Sequence, residues 1–271
     1  MSPHGTPPPE VLQSTLPPEV LAHASAPALP GVAPLAPDGW LRRDEAFAGQ
    51  MAWRDYLLSR HRARVLVDRD PPSDAARELL DMVLDRLSRD PGYRRAGGHV
   101  IRPDGVAVDP YADTPLAIAA RLVQEDLLLH ERGDPGDPGA EHVLTEGVLC
   151  FPALWTLTQK VGRPLTGVHG PVAAYDPVIA RRVQRLFDGL QPGRPLWRAN
   201  YLRYPTAALH TPRQEGEPRP PVPDPAPFYR SELQALVRLP GSRAVLFTIH
   251  TCLVPRDAVP PDRRALFGDH A

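Results

Sequence analysis

Hydrophobic positions recur along the chain with two periods, and each period predicts an element. In "PPSDAARELLDMVLDRLSRD" the stripe Leu79, Leu80, Val83, Leu84 and Leu87 follows Ser73, a good N-cap, and predicts an amphipathic helix. "DTPLAIAARLVQEDLLLH" offers Thr114 as cap and Pro115 at the first helical position, then Leu116, Ala119, Val123 and Leu127, which predicts a second helix. "DPVIARRVQRLFDGL" repeats that device with Asp176 and Pro177, and its predicted buried stripe is Ile179, Val183, Leu186 and Leu190. "SELQALVRLPG" has capping-box spacing, Ser231 with Gln234, and predicts a fourth helix ended by Pro240 and Gly241. "HVIRPDGVAVD" predicts a hairpin, and "HVLTEGVLCFP", "LWRANYLRY" and "AVLFTIHTCLV" predict strands. In the last of these, Val245, Phe247, Ile249 and Leu253 share one face, while Leu246, Thr248, His250 and Cys252 share the other. No regular strand–helix–strand rhythm appears, so the pattern predicts an α+β fold with an antiparallel sheet and helices on one face.

Composition changes this picture at the margins. Residues 1 to 38 are rich in Pro and Ala, too often interrupted for a helix or a paired strand, and read as an extended or disordered arm with one short turn around "PPEVLAHA". Two further proline- or glycine-broken stretches, residues 131–141 and 211–227, read as loops. Neither separates two hydrophobic cores, so residues 39–271 are expected to form a single domain. The formal net charge of −1 offers no electrostatic basis for a nucleic-acid or anionic-membrane partner. No apolar run approaches the ~20 residues that cross a bilayer, and "MSPHGTPPPE" lacks the features of a secretory leader. Cys150 and Cys252 allow at most one disulfide. The expectation is a soluble, cytoplasmic, reduced protein.

The commonest local signatures of catalysis (GxGxxG, a Walker loop, HExxH, CxxC, GxSxG) are absent, and the histidines do not cluster at metal-ligand spacing. What remains is a set of polar residues in apolar surroundings. Glu125 and Asp126 fall late on the second predicted helix; they read either as a solvated carboxylate beside an arginine-paired one, or as pocket carboxylates that bind an amine or relay a proton. His169 lies in a predicted loop between Gly167 and Gly170, which would let the backbone approach a large planar ligand. Arg198 and Asn200 share a strand face with Leu196 and Leu202. Arg230 and Glu232 flank the fourth predicted helix, where Glu232 would complement the helix dipole. The pair His250 and Cys252 reads as a metal pair, a catalytic pair or the lining of a cavity.

Several stretches together resemble one family. "GWLRRDEAF", "SDAARELLDMVLDRL", "LAIAARLVQEDLLLH", "LCFPALWTLTQKVGRPLTGVHGPVAAYD", "RANY" and "RSELQALVRLPGSRAVLFTIHT" are similar, in order, to the heme-binding subunit of the heme-dependent oxidative N-demethylases. The resemblance runs from about Trp40 to Leu253. It implies a PAS-like fold holding heme b, with O2 and a separate flavin and iron–sulfur reductase as partners. It further implies oxidative removal of a methyl group from a small amine, releasing formaldehyde. His169 matches the family's histidine in IHxPVP and is the implied iron ligand, with His250 in reserve and Asn200 as a further cofactor contact. Arg198, Arg230, Glu232, Glu125 and Asp126 match family positions and are the implied catalytic set.

The chain departs from the family pattern at five informative positions. Leu233 and His250 each stand where the pattern has arginine, Cys252 where it has tyrosine, and Tyr201 where it has tryptophan; "PVAAY" replaces PVPxY. The expectation is that His250, Cys252 and Thr248 line a substrate pocket and tune what it admits. A related heme enzyme tailoring a biosynthetic intermediate, and a non-catalytic heme or ligand sensor, are the alternative readings.

Overall fold

The computed structural model describes residues 6–20, 31–134, 137, 139–170, 176–264 and 267. Its first half runs β1 (Ala33–Pro34), α1 (Phe47–Arg60), α2 (Arg62–Val65), β2 (Leu66–Val67), α3 (Asp74–Ser88), β3 (Arg94–Ala96), β4 (His99–Ile101), β5 (Ala107–Val108) and α4 (Pro115–Ala120). The second half runs β6 (Asp126–Arg132), β7 (His142–Val148), α5 (Leu165–His169), α6 (Pro177–Gly189), β8 (Leu196–Tyr204), β9 (Phe228–Arg238), β10 (Val245–Pro255) and α7 (Pro261–Arg264). Seven strands form one sheet in the order β1-β8-β9-β10-β6-β7-β2, and β3-β4-β5 form a small second sheet. Every neighbouring pair in the large sheet is antiparallel. The α+β architecture expected from the sequence is therefore present.

Register assigns each residue of the central strands to one of two faces. Ala199, Leu233 and His250 lie directly opposite one another on one face, and Asn200, Glu232 and Thr251 do so on the other. The first, here the core face, carries Leu127, Leu129, Ala235, Val237 and Leu246, packed with Leu57, Leu79, Val83, Leu116 and Ile118 from α1, α3 and α4. The arm adds Leu16 and Val20, which pack with Ala199, Leu233, Cys252 and Val254. The second, the α6 face, is covered more thinly by Leu165, Phe187 and Leu190 against Leu236 and Val245. Helices thus lie on both faces of the sheet, rather than on one as expected.

The N-terminal arm is sewn to β10. That strand pairs with β6 only from Val245 to Ile249, leaving the flank beyond unpaired on that side. Gln13 fills the gap. Its backbone N–H donates to Leu253 O at 2.9 Å, Leu253 N–H donates to Gln13 Oε1 at 2.9 Å, and Gln13 Nε2 donates to Thr251 O at 3.2 Å.

Caps foretold two helices well. Ser73 Oγ accepts from Ala76 N–H at 2.9 Å and starts α3; Asp176 Oδ1 accepts from Val178 and Ile179 N–H, both at 2.8 Å, and starts α6. Two other helix assignments are overturned. The segment from Leu122 to Leu129 leaves the helix, which ends at Ala120, and Asp126 opens β6 instead. Its three consecutive leucines, 127–129, suit a strand buried on both faces as well as they suit a helix. "SELQALVR" lies inside β9, whose residues from Tyr229 to Arg238 are buried except Gln234, and "LPG" follows the strand. With both faces covered, β9 shows no apolar–polar alternation, and the Ser231–Gln234 spacing is a coincidence of strand sequence. Glu232 therefore complements no helix dipole. Likewise, His169 is the last residue of α5 rather than part of a loop.

Among the described residues no helix is long and apolar enough to cross a membrane. Both cysteines are buried and unbridged. Residues 21–24 of "PPEVLAHA", all of residues 171–175 in "PVAAY", and His4 and His270 lie outside the described residues.

Candidate functional site

Period two in β8 and β9 brings four of the expected site residues to the α6 face. Arg198 sits opposite Gln234, Asn200 opposite Glu232, and Leu202 opposite Arg230. Their environments differ. Arg230 is fully buried and held through both terminal nitrogens: it donates to Phe151 O at 2.5 Å, Leu209 O at 3.1 Å and Thr251 Oγ1 at 3.4 Å, and lies over the Tyr204 ring. It pins two loops to the sheet and stands 3.5 Å from Glu232 Oε1. Glu232 Oε2 accepts from Gln234 Nε2 at 2.9 Å. Asn200 Oδ1 accepts from Tyr201 N–H at 3.0 Å.

Arg198 differs in the rest of its guanidinium. Among the described residues it makes no hydrogen bond or ion pair at all, and its Nε is buried. Burial lowers the pKa of its guanidinium, with only the more distant Glu232 carboxylate acting the other way. An unpaired, half-buried cation is costly, and its natural complement is an anion.

His169 reaches this region from α5. Its Nδ1 donates to Leu165 O at 2.9 Å, the tautomer in which Nε2 carries the lone pair. Burial holds its pKa below the usual histidine range; the bond to Leu165 acts against this, while the charges of Lys160 and Arg198 reinforce it. The imidazole is thus neutral, as a metal ligand must be. Buried Lys160 steadies the end of α5 by donating to Val168 O at 2.7 Å, and pairs with Glu215 at 2.5 Å. Around this site the apolar side chains Trp155, Val168, Val183, Leu186, Leu196 and Phe247 are only partly buried. The expected buried stripe of α6 is accordingly incomplete: Leu190, just past its end, is buried, but Ile179, Val183 and Leu186 are half-exposed. A cavity of about 410 Å³ opens between α5 and α6, lined by Thr166, Asp176, Pro177, Ala180 and Arg181.

His130 and His142 flank this face, both in contact with the Phe187 ring. Burial, reinforced by His142 and His169 at the first and by Arg238 and Arg132 at the second, depresses their pKa values to about 3 and about 4. Both are neutral at any ordinary pH.

The remaining expected residues lie elsewhere. His250 is buried on the core face between two carboxylates, with Nδ1 3.0 Å from Glu125 Oε1 and Nε2 3.1 Å from Asp44 Oδ2. Burial opposes its charge, yet these hydrogen bonds and charges lift its pKa to about 9, so it is an imidazolium. Burial likewise opposes ionisation of Asp44, but His250 and two glutamine amides hold it down at about 2. With both nitrogens engaged, His250 has none left for iron. Thr248 Oγ1 donates to Trp40 O at 3.3 Å, and the Cys252 thiol points to Thr15 O at 3.6 Å with its pKa raised by burial. The cavity beside His250 and Thr248, also lined by Glu125, Trp40, Trp197 and Leu233, measures about 10 Å³, room for a single water. Asp126 is tied to Arg54 at 2.7 Å and accepts from the Cys150 and Phe151 N–H groups at 2.7 and 2.9 Å. The structure therefore brings together Arg198, Asn200, Arg230, Glu232 and His169, and sets apart Glu125, Asp126, Thr248, His250 and Cys252.

Sequence reasoning missed several partners. Asp44 and Arg54 carried no local signal, lying 206 and 72 residues from His250 and Asp126. Gln234 had one: it lies two positions from Glu232, visible once that segment is read as a strand.

The α6 face suits a flat, mostly apolar, doubly anionic group such as heme. It has apolar walls left half-covered, a neutral imidazole with its second nitrogen anchored, and a guanidinium without a counterion. Among the described residues no three His, Cys, Asp or Glu side chains converge on a metal position. A heme iron, already bound by four ring nitrogens, asks only one from the protein. Residues 31–266 match the family model described as haem-dependent oxidative N-demethylase, alpha subunit-like.

Proposed function

The chain belongs to the haem-dependent oxidative N-demethylase alpha-subunit-like family, and from that premise we propose that it binds heme b on the α6 face and oxidatively N-demethylates a small amine or amino-acid-like metabolite. The observation that carries this reading is the partnerless guanidinium of Arg198 beside the anchored, neutral imidazole of His169. When bound, a heme supplies an iron that activates O2 to oxidise the methyl carbon on nitrogen, which is lost as formaldehyde. His169 would hold that iron through Nε2, its ring fixed by the bond to Leu165 O. Arg198 would take an anionic group of the bound cofactor or substrate. Glu232, with Oε2 occupied by Gln234, has Oε1 to accept an N–H from the substrate ammonium and to hold its proton. Arg230 positions Glu232 and keeps the floor of the site rigid.

The departures from the family pattern favour retained N-demethylation. Tyr201, Leu233, His250 and Cys252 all have core-face register, away from Arg198, Asn200 and Glu232. They alter the polarity of the core rather than of the proposed site.

Reconstitution with hemin tests the reading. A Soret band at one heme per chain is expected, lost or strongly shifted in His169→Ala; unchanged spectra and heme content in that variant would refute the ligand assignment. With a surrogate reductase, O2 and a panel of N-methylamines, substrate-dependent formaldehyde is expected from wild type. Glu232→Gln should lower it by ~10²-fold or more. A heme-loaded chain that makes no formaldehyde from any amine tested would leave the sensor reading in its place.

A further inference from the structure

The outer side of α6 carries a charge pattern that the proposed site does not use. Residues 176–198 contain five arginines (181, 182, 185, 194 and 198) and two aspartates, in a chain whose net charge is −1. Both aspartates are committed: Asp176 caps α6, and Asp188 pairs with Arg132 at 3.2 Å. Arg181, Arg182 and Arg185 are exposed, and among the described residues none makes an ion pair or a side-chain hydrogen bond. Unpaired arginines on a helix are ordinary taken singly. These three lie on α6, which roofs this face together with α5, and Arg181 also lines the 410 Å³ cavity between the two helices.

The oxidation proposed above needs electrons from outside. The two cysteines are buried and no CxxC or dinucleotide-binding glycine loop is present, so the chain has no evident means of carrying an iron–sulfur cluster or a flavin of its own. A donor docked on α6 would stand about one helix diameter, ~10 Å, from the sheet face beneath.

We propose that the arginine face of α6 is the docking surface for an acidic electron-transfer protein of the iron–sulfur type, steered by charge to the side of the molecule that holds the cofactor. This rests on the heme reading of the α6 face. Acidity of the partner follows from the unpaired positive charge, and the site of docking from its position over the roof helix. Arg94 and Arg95 on β3, also exposed and unpaired, provide a basic patch on the small second sheet as a control.

The test is anaerobic stopped-flow reduction of the heme-loaded protein by a reduced plant-type [2Fe–2S] ferredoxin, followed at the Soret band. For wild type the second-order rate constant should fall ~10-fold or more between 50 and 500 mM salt, numbers in the range that steering produces. The triple variant R181E/R182E/R185E should lose at least ~10-fold at low salt and most of its salt dependence. R94E/R95E should behave as wild type, and dithionite should reduce all three proteins alike. Wild-type rates and salt dependence in the triple variant, or an equal loss in R94E/R95E, would overturn the docking surface while leaving the heme reading standing. A chain that takes up no heme would overturn both.

Discussion

The two faces of the same sheet treat a central polar residue in opposite ways, His250 on one and Arg198 on the other. On the core face, His250 has a carboxylate at each nitrogen, and Asp44 is held in turn by Gln13 and Gln124 at 2.9 and 2.8 Å. On the α6 face, one step along the neighbouring strands, Arg198 has no partner among the described residues and the apolar wall is only half covered. The core face ties His250 and Asp44 into the fold, whereas Arg198 is left for the group proposed to bind beside it. A sequence-adjacent pair such as Glu232 and Leu233 belongs to both regimes at once, because a step of one residue reverses the face.

The contrast can be broken most severely at Arg54. Replacing it by leucine strands the Asp126 charge in the core and should cost ~3–5 kcal/mol, read as a large drop in the urea midpoint. His250→Leu comes next: it leaves Asp44 and Glu125 facing each other uncompensated and should cost ~3 kcal/mol. Arg198→Leu should do the reverse, leaving stability within ~1 kcal/mol of wild type while weakening heme retention. Equal destabilisation by the two variants would erase the distinction between the faces.

Titration sharpens the same comparison. The folded-state pKa of His250 is raised from 6.5 to about 9, so its contribution is fully present below pH 6.5 and is lost as pH rises through about 9. Asp44 is lowered from 3.8 to about 2, so its contribution is present above pH 3.8 and lost as pH falls through about 2. Thermal melts across this range should show an alkaline decline that His250→Leu flattens and Arg198→Leu does not. The smallest effect belongs to Gln13→Ala, which removes side-chain hydrogen bonds at the rim of the core face and should cost ~1–2 kcal/mol by urea titration.

Much of the scaffold was legible because its signals are local. Ser73 and Asp176 announce α3 and α6 through side-chain caps, and β8 and β10 show their strand character directly. The failures came where burial erases pattern. β9 and β6 sit in the middle of the sheet, so neither alternates, and a polar spacing such as Ser231–Gln234 then imitates a cap. α1 begins at Phe47 with no side-chain cap at Ala46 and escaped notice. For the site, the residues and then the resemblance pointed to His169, Arg198 and Glu232, but neither could say that His250 lies on the other face. That separation depends on register between strands and on Asp44, a partner 206 residues away.

The pairing of Gln13 with β10 has a consequence for how the chain behaves in company. A strand that outruns its neighbour presents a row of unsatisfied donors and acceptors, the template on which a second molecule can add its own strand. By occupying that row with its own N-terminal segment, at Thr251 and Leu253, the chain plugs a sticky flank from within. The proline-rich leader thus guards solubility: a protein trimmed ahead of Ser14 should self-associate through β10 long before its fold is lost.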